Sequence, residues 1–222
     1  MTIAVLGGTG REGSGLALRL GLAGFPVLIG SRSSERARET AEELRGRLGL
    51  GIDATVFTGK ENTEAARVAD LIFLAAPFEH AAELLRACRP VFQNGSTLVD
   101  VTVPLAFRAG EVQVMELAEG SGSAHLARYL PEGTALVAAF KTIPAQLLAD
   151  LDKDLNCDVF VCGDSPQAKH QVMDVASRIA GLRPVDAGLL REAHTLEHMS
   201  ALAIGLNRRY KVKTARFRVV GL

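Results

Sequence analysis

Ile3-Ala4-Val5-Leu6-Gly7-Gly8-Thr9-Gly10-Arg11-Glu12-Gly13 is the stretch whose reading decides the fold. Its first four residues are apolar without alternation, the pattern of a short strand covered on both faces. A cluster of glycines follows, and residues 14–23 then carry a helical pattern. Gly8, Gly10 and Gly13 fit GxGxxG, while Gly7, Gly10 and Gly13 fit GxxGxxG; composition permits both registers. A glycine turn between a strand and a helix serves one chemistry well. Without Cβ atoms the chain can turn tightly and let a pyrophosphate approach the backbone. The helix start then offers free N–H groups and partial positive charge to the phosphates. In this context the motif predicts dinucleotide binding.

Working outward, apolar runs alternate with helical patterns. Strands are expected at residues 26–29, 54–57 (weaker), 70–75, 97–101 and 135–140. Helices are expected at 33–48, 61–68, 79–89 and 123–129, with a long polar loop after residue 101. This alternation predicts an α/β fold, a Rossmann doubly wound parallel sheet. Near Thr142 the pattern changes: helix 143–151, strand 159–162, helix 165–179 with Ser165 as N-cap and Pro166 at its first position, strand 183–187 and a long helix 189–210. The expected division is residues 1–145 as the nucleotide-binding domain and 146–222 as a small C-terminal α/β domain closing the acceptor site.

The end of the second strand bears on cofactor choice. NAD-selective sites usually place an acid there to accept from the ribose 2′-OH. This chain has Ser31-Arg32-Ser33-Ser34 with Arg36 close behind. Hydroxyls and guanidinium groups suit a 2′-phosphate, which predicts NADP(H) over NAD. Other strand ends should ring the same crevice: Ala76 and Pro77 after one strand, Lys141, Thr142, Ile143 and Pro144 after another. Ile143 is placed to press on the nicotinamide face.

The 222 residues carry 25 basic and 25 acidic side chains, a formal net charge of zero. That balance gives no electrostatic reason to expect nucleic acid or an anionic membrane as partner. No apolar run approaches the ~20 residues that span a bilayer, and residues 2–6 lack the basic flank of a signal peptide. The three cysteines, Cys88, Cys157 and Cys162, form no CxxC. They fit a reducing cytoplasm, with no disulfide between Cys157 and Cys162.

These residues resemble the NADPH-dependent reductases of the deazaflavin coenzyme F420. The resemblance runs nearly end to end. It rests on residues 5–10, 15–20 and 30–32, then on Glu79-His80-Ala81, Thr142-Ile143-Pro144-Ala145, Val161-Cys162-Gly163-Asp164 and residues 181–188. It implies hydride transfer between NADP(H) and F420 or a related flavin, with the rings stacked between the two domains. Thr9, Gly10, Arg11 and Glu12 would then take the pyrophosphate-turn role, and Ser31 and Arg32 the 2′-phosphate. Pro77 and His80 would lie near the nicotinamide ribose, and residues 142–145 would wall the ring-stacking site. A homodimer is the family expectation. Two departures stand out: Lys141 where archaeal members often have His, and the sequence from Leu190 onward.

The cofactor rings carry such chemistry, and the protein aligns them and excludes water. His80 and Lys141 are the candidate catalytic groups, as donors to the acceptor ring while negative charge develops there. Reduction of an imine or carbonyl, with Lys141 as proton donor, is the competing enzyme reading; a non-catalytic NADP(H) sensor is the competing binding one. His194-Thr195-Leu196-Glu197-His198 matches H-x-x-E-H, but with no third ligand in view no metal site is assigned. The basic stretch from Arg208 to Arg218 reads mainly as cations favoured near a helix C-terminus.

Overall fold

The computed structural model describes residues 1–49, 56–108 and 110–222. The opening apolar run forms β1 (Ile3–Leu6), and its period-two side chains divide between two cores. Ile3 and Val5 join one buried cluster, Ala4 and Leu6 the other. Covering both faces of one strand requires helices on both sides of the sheet. They are supplied by α1 (Arg11–Leu22) and α2 (Ser34–Leu48) on the first face, and by α3 (Asn62–Val68), α4 (Phe78–Cys88) and α5 (Gly122–Ala127) on the second.

The strands between them are β2 (Val27–Ser31), β3 (Phe57–Glu61), β4 (Leu71–Leu74), β5 (Thr97–Asp100) and β8 (Ala135–Ala138). All pair in parallel with their neighbours around β1. The chain then adds α6 (Ala145–Ala149), β9 (Cys157–Gly163), α7 (Pro166–Ser177), β10 (Leu182–Gly188) and α8 (Ala193–Arg209). β9 runs antiparallel to β8 and parallel to β10, so the full order is β10-β9-β8-β5-β4-β1-β2-β3. Residues 146–222 thus extend the same sheet, and α6 and α7 contribute to the first core cluster. The Rossmann class read from the sequence is the observed one.

Three elements differ from expectation. The third strand lies at Phe57–Glu61, three residues later than 54–57, and residues 54 and 55 fall outside the described ones. Pairing from Val27↔Phe57 to Ser31↔Glu61 carries it into polar sequence, which an edge strand tolerates. The stretch after residue 101 is not simply a polar loop. It holds the antiparallel pair β6 (Leu105–Arg108) and β7 (Glu111–Val114), turned at Gly110 with φ +82°. Glu-Val-Gln-Val alternates as a half-exposed strand should. The long C-terminal helix begins only at Ala193, after a 3-10 turn over Leu190–Glu192.

Ser165 does cap α7, accepting from the Ala168 N–H at 3.3 Å, with Pro166 at the first position. Cys88, Cys157 and Cys162 are free and buried. Among the described residues no helix is long and apolar enough to cross a membrane.

Candidate functional site

Backbone geometry chooses between the two glycine registers. Gly7 takes φ +74°, and a Cβ there would sit 2.9 Å from the Ala76 nitrogen. Gly7 is therefore the tight-turn glycine. A Cβ on Gly13 would lie 2.6 Å from the Gly7 oxygen and 2.8 Å from the Gly8 Cα. Gly13 thus lets α1 close on the elbow. Gly10 between them is the N-cap and offers no side-chain cap, so the first N–H groups of α1 stay free for a ligand. Gly7 alone of the cluster has a positive φ and makes the turn; Gly8 is buried behind it, its N–H on the Gly30 oxygen at 2.8 Å, and is confined in its own right, because a Cβ there would sit 2.8 Å from the Val5 oxygen. Asn62 had no place in the sequence reading. Its Oδ1 accepts from the Gly7 N–H at 3.1 Å and holds the elbow from α3. Nothing in a linear motif points to a residue 55 positions away.

At the end of β2, Ser31 is buried and its Oγ accepts from the Ser33 N–H at 3.4 Å. Ser33 caps α2 by accepting from the Arg36 N–H at 3.3 Å. Arg32 is exposed and makes no hydrogen bond or ion pair among the described residues. It borders a shallow hollow with Ser33, Ser34 and Arg38, which Glu61 of β3 and Glu35, Glu39 and Glu42 of α2 also line. Arg38 donates to the Ser34 carbonyl at 3.2 Å. The Arg36 side chain is exposed and does not line the hollow.

The main cavity, about 590 Å³, opens at the carboxyl ends of the strands. That is where open α/β sheets place their ligands, and the size suits a small-molecule site. Gly10, Arg11 and Glu12 border it on one side. The exits of β4 (Ala75 to Phe78), β5 (Val101 to Val103) and β8 (Lys141 to Gln146) form its walls. Ser200, Ala203 and Asn207 of α8 close it, with Lys213 and Ala215 beyond. Ala76, Pro77, Thr142, Ile143 and Pro144 are therefore brought together as expected from the strand ends. His80 is not: it is exposed on the first turn of α4 and does not line the cavity. The α8 and tail residues belong to the 146–222 segment expected to close the acceptor site, but no motif singles out these particular side chains, because their place depends on packing.

Lys141 is placed differently from a donor aimed at a ligand. Its side chain is 0 % exposed, and only its backbone reaches the cavity surface. The Nζ donates to Asp100 Oδ2 at 2.7 Å and to the Thr102 carbonyl, and stands 3.5 Å from Glu197 Oε1. Two of the ammonium's three hydrogens are taken by Asp100 and Thr102, and Glu197 adds a longer ion-pair contact. Asp100 also accepts from the Ser123 and Thr102 hydroxyls, at 2.6 and 2.7 Å. Glu197 accepts from the Gly122 and Ser123 N–H groups, capping α5 from α8. Burial pushes the Glu197 carboxyl up, partly offset by Lys141. Ser200 adds a hydroxyl donated to the Lys141 carbonyl at 2.7 Å. The cluster ties the exits of β5 and β8 to α5 and α8. The preceding residue, Phe140, is held at φ +60°, a costly conformation for a non-glycine residue, and packs edge-on against Phe73.

Glu197 also accounts for the fate of the H-x-x-E-H pattern. It turns inward, while His194 and His198 are exposed and direct their Nδ1 atoms at the carbonyls of Arg191 and His194. Among the described residues no group of three potential ligands gathers.

Beyond α8 the tail reaches the start of β9. The Asp158 N–H donates to the Phe217 carbonyl at 2.9 Å. Arg183 of β10 grips Asp158 with two bonds of 2.8 Å and donates to the Val219 and Leu222 carbonyls. Asn207 Oδ1 accepts from the Ala215 N–H at 2.9 Å, which fixes the tail where it borders the cavity.

Comparison with known proteins gives a consistent picture. The profile of the family described as NADP oxidoreductase coenzyme F420-dependent matches residues 2–104. The F420-dependent NADP reductase of Methanocaldococcus jannaschii is 36% identical over 224 residues, spanning 100% of this chain and 99% of the relative. That of Methanothermobacter thermautotrophicus is 36% identical over 228 residues, spanning 100% and 96%. A solved structure from Arthrobacter sp. FB24 superposes with a TM-score of 0.82 at 24% identity, covering 99% of each chain, and so shares the fold.

Proposed function

Because the chain belongs to the family of F420-dependent NADP reductases, we infer that it transfers hydride between NADP(H) and coenzyme F420. The observation that carries the reading is the Gly7–Gly10–Gly13 elbow opening directly onto a cavity large enough for stacked rings. When bound, NADPH supplies a hydride from C4 of its nicotinamide, and F420 takes it up with one proton.

The chain's own residues bind, orient and exclude water. Residues 7–13 hold the pyrophosphate, with the free N–H groups of α1 aimed at it. Ser31 and Arg32 take the 2′-phosphate; Arg32 has no competing partner among the described residues. Arg36 stands one helical turn behind. Ala76, Pro77, Thr142, Ile143 and Pro144 shape the ring-stacking walls. Residues 146–222 act as a closing domain on 1–145: α8 and the tail cover the acceptor side of the cavity. Lys141 serves the site as the internal anchor of these walls. That position removes the proton donor on which imine or carbonyl reduction would depend. His80 stays outside the cavity, so neither group is asked to do chemistry on the rings. Alignment of two reactive rings between these walls supplies the catalysis.

Phe107, Leu202, Tyr210 and Val212 are exposed apolar side chains of the β6–β7 pair, α8 and the start of the tail. Arg208 lies over the Phe107 ring and joins these elements. A second copy of the chain docks there, giving a homodimer of a cytoplasmic enzyme; sedimentation of the Phe107→Asp variant as a monomer is the expected result.

The deciding assay is NADPH oxidation with F420, followed by loss of the deazaflavin chromophore. Turnover supports the reading. Tight NADPH binding without reduction of F420 would make the protein a sensor instead.

A further inference from the structure

We propose that Asn207 and Lys213 form an anion seat on the acceptor side of the cavity, and that this seat selects the hydride acceptor by the phosphate on its side chain. The inference rests on the F420 reading above and deepens it by naming the part of the acceptor that the tail recognises.

The seat is built where α8 ends. Lys211 takes φ +53° and the Val212 N–H donates to the Asn207 carbonyl at 3.0 Å, so the chain reverses in a left-handed helix cap. The returning segment lands on the same residue, because the Ala215 N–H donates to Asn207 Oδ1 at 2.9 Å. Asn207 thus holds the tail by its backbone and by its side chain, and Lys213 has a fixed place between the two bonds. Asn207, Lys213 and Ala215 all border the main cavity.

The bond from Ala215 also orients the Asn207 amide. With Oδ1 turned to the tail, Nδ2 remains as a donor, and it meets no acceptor among the described residues. Lys213 is exposed and makes no hydrogen bond or ion pair among the described residues. Two unspent donors, one of them charged, therefore stand on one turn at the cavity wall.

Charge around this turn has one sign. Arg208, Arg209, Lys211, Lys213, Arg216 and Arg218 fall within residues 208–218 with no acid among them, although the chain as a whole balances. Arg208 and Arg209 lie in the last turn of α8, where helix carbonyls favour cations. Lys213 lies past that turn, and the cap already satisfies the Asn207 carbonyl. The remaining charged side chains of the wall serve other places: Arg11 and Glu12 belong to the elbow, and Lys141 is enclosed by Asp100 and Glu197. A local positive rim raises the concentration of an anion at the mouth. The phosphates of NADP(H) are taken at residues 7–13 and 31–32 in the reading above, so the anion left for this end is the acceptor's. F420 carries such a group, a phosphate on the ribityl chain that extends from its ring.

The test measures binding of oxidised acceptors to the intact protein saturated with NADP+, followed by deazaflavin fluorescence. The acceptors are complete F420, the deazaflavin ribityl 5′-phosphate and the same deazaflavin with a free 5′-hydroxyl. The two phosphorylated forms should bind about tenfold more tightly than the third. That margin should shrink as salt is raised, since an exposed charge is screened. Lys213→Gln should remove most of the margin and Lys213→Arg should keep it. Asn207→Asp retains an acceptor for the Ala215 N–H but puts an anionic oxygen in place of the donor, and it should also lose the margin. The unphosphorylated deazaflavin and NADP+ should bind wild type and variants alike, which a merely structural role for either residue would not produce. A margin that survives Lys213→Gln, a margin shown only by complete F420, or a matching loss of NADP+ affinity overturns the proposal and leaves the F420 reading to its own turnover assay. A wild type that binds none of these acceptors overturns both.

Discussion

The two sides of the cavity are built in opposite ways. The cofactor side is local: residues 7–13 make an elbow whose shape follows from missing Cβ atoms, and few side chains are involved. The acceptor side is assembled from the exits of β4, β5 and β8, from α8 and from the tail, segments more than a hundred residues apart. What holds those pieces is a buried charge cluster, Asp100–Lys141–Glu197. The difference teaches where each half is vulnerable. A backbone cradle fails by steric intrusion, whereas a wall of distant pieces fails when its internal fastening loses charge balance.

The largest effect should come from Lys141→Met. It strips the counter-charge from two carboxylates that are 0 % exposed. Breaking a buried pair by removing one partner costs about 3–5 kcal/mol. Thermal denaturation should show that loss. Lys141→Met with Asp100→Asn and Glu197→Gln together should recover part of it, since no unpaired charge remains. If the single variant were as stable as the wild type, the acceptor wall would not depend on this cluster.

Next comes the cradle. Gly13→Ala places a methyl group 2.6 Å from the Gly7 oxygen, and backbone has little room to yield. NADPH affinity should drop on the order of 100-fold, about 2.7 kcal/mol, while the far wall is unaffected. A variant that binds NADPH normally would mean the elbow is looser than its contacts imply.

This contrast also explains what the sequence alone could reveal. The elbow, the parallel sheet and the strand exits with Ala76, Pro77 and residues 142–144 were legible, because strand periodicity and the glycine turn are local signals. Asn62, Asp100 and Glu197 were not, since each acts on residues tens of positions away. Lys141 was visible as a residue but not in its role: a lone cation at a strand exit suggests a ligand contact until the carboxylates that enclose it are seen. The β6–β7 pair was masked because its two strands are only four residues each and half-exposed, and Gly110 was the cue to its turn. The glycine register needed φ angles, which composition does not contain.

A smaller effect is expected at the 2′-phosphate. Arg32→Ala removes a charge-assisted contact from an exposed site, and should weaken NADPH by about tenfold to thirtyfold. NADH, which lacks the phosphate, should bind the variant and the wild type alike. Equal losses for both dinucleotides would move the selectivity elsewhere in the hollow, where Arg38 also lies.

The smallest effect concerns the tail, and it tests whether the distant wall can be loosened without touching its charged centre. Arg183 and the Val219 N–H hold Asp158 well below the usual carboxylate range, chiefly through the hydrogen bonds from Arg183. A depressed folded value means the carboxylate stabilises the folded state above its unfolded titration point, near 4. The contribution is lost as pH falls through the lower, folded value. Acid should therefore free the tail before the sheet unfolds, and a lower hydrogen-exchange protection factor at the Val219 amide, taken against the intrinsic rate at each pH, would report it. Asp158→Asn should produce the same release at neutral pH, worth roughly 1.5 kcal/mol of local stability. Because the Ala215–Asn207 bond lies between this clasp and the cavity, acceptor KM should rise while NADPH affinity stays level. A change in NADPH affinity instead would show that the two sides are coupled through the tail, and that the division between cradle and wall is less complete than their construction suggests.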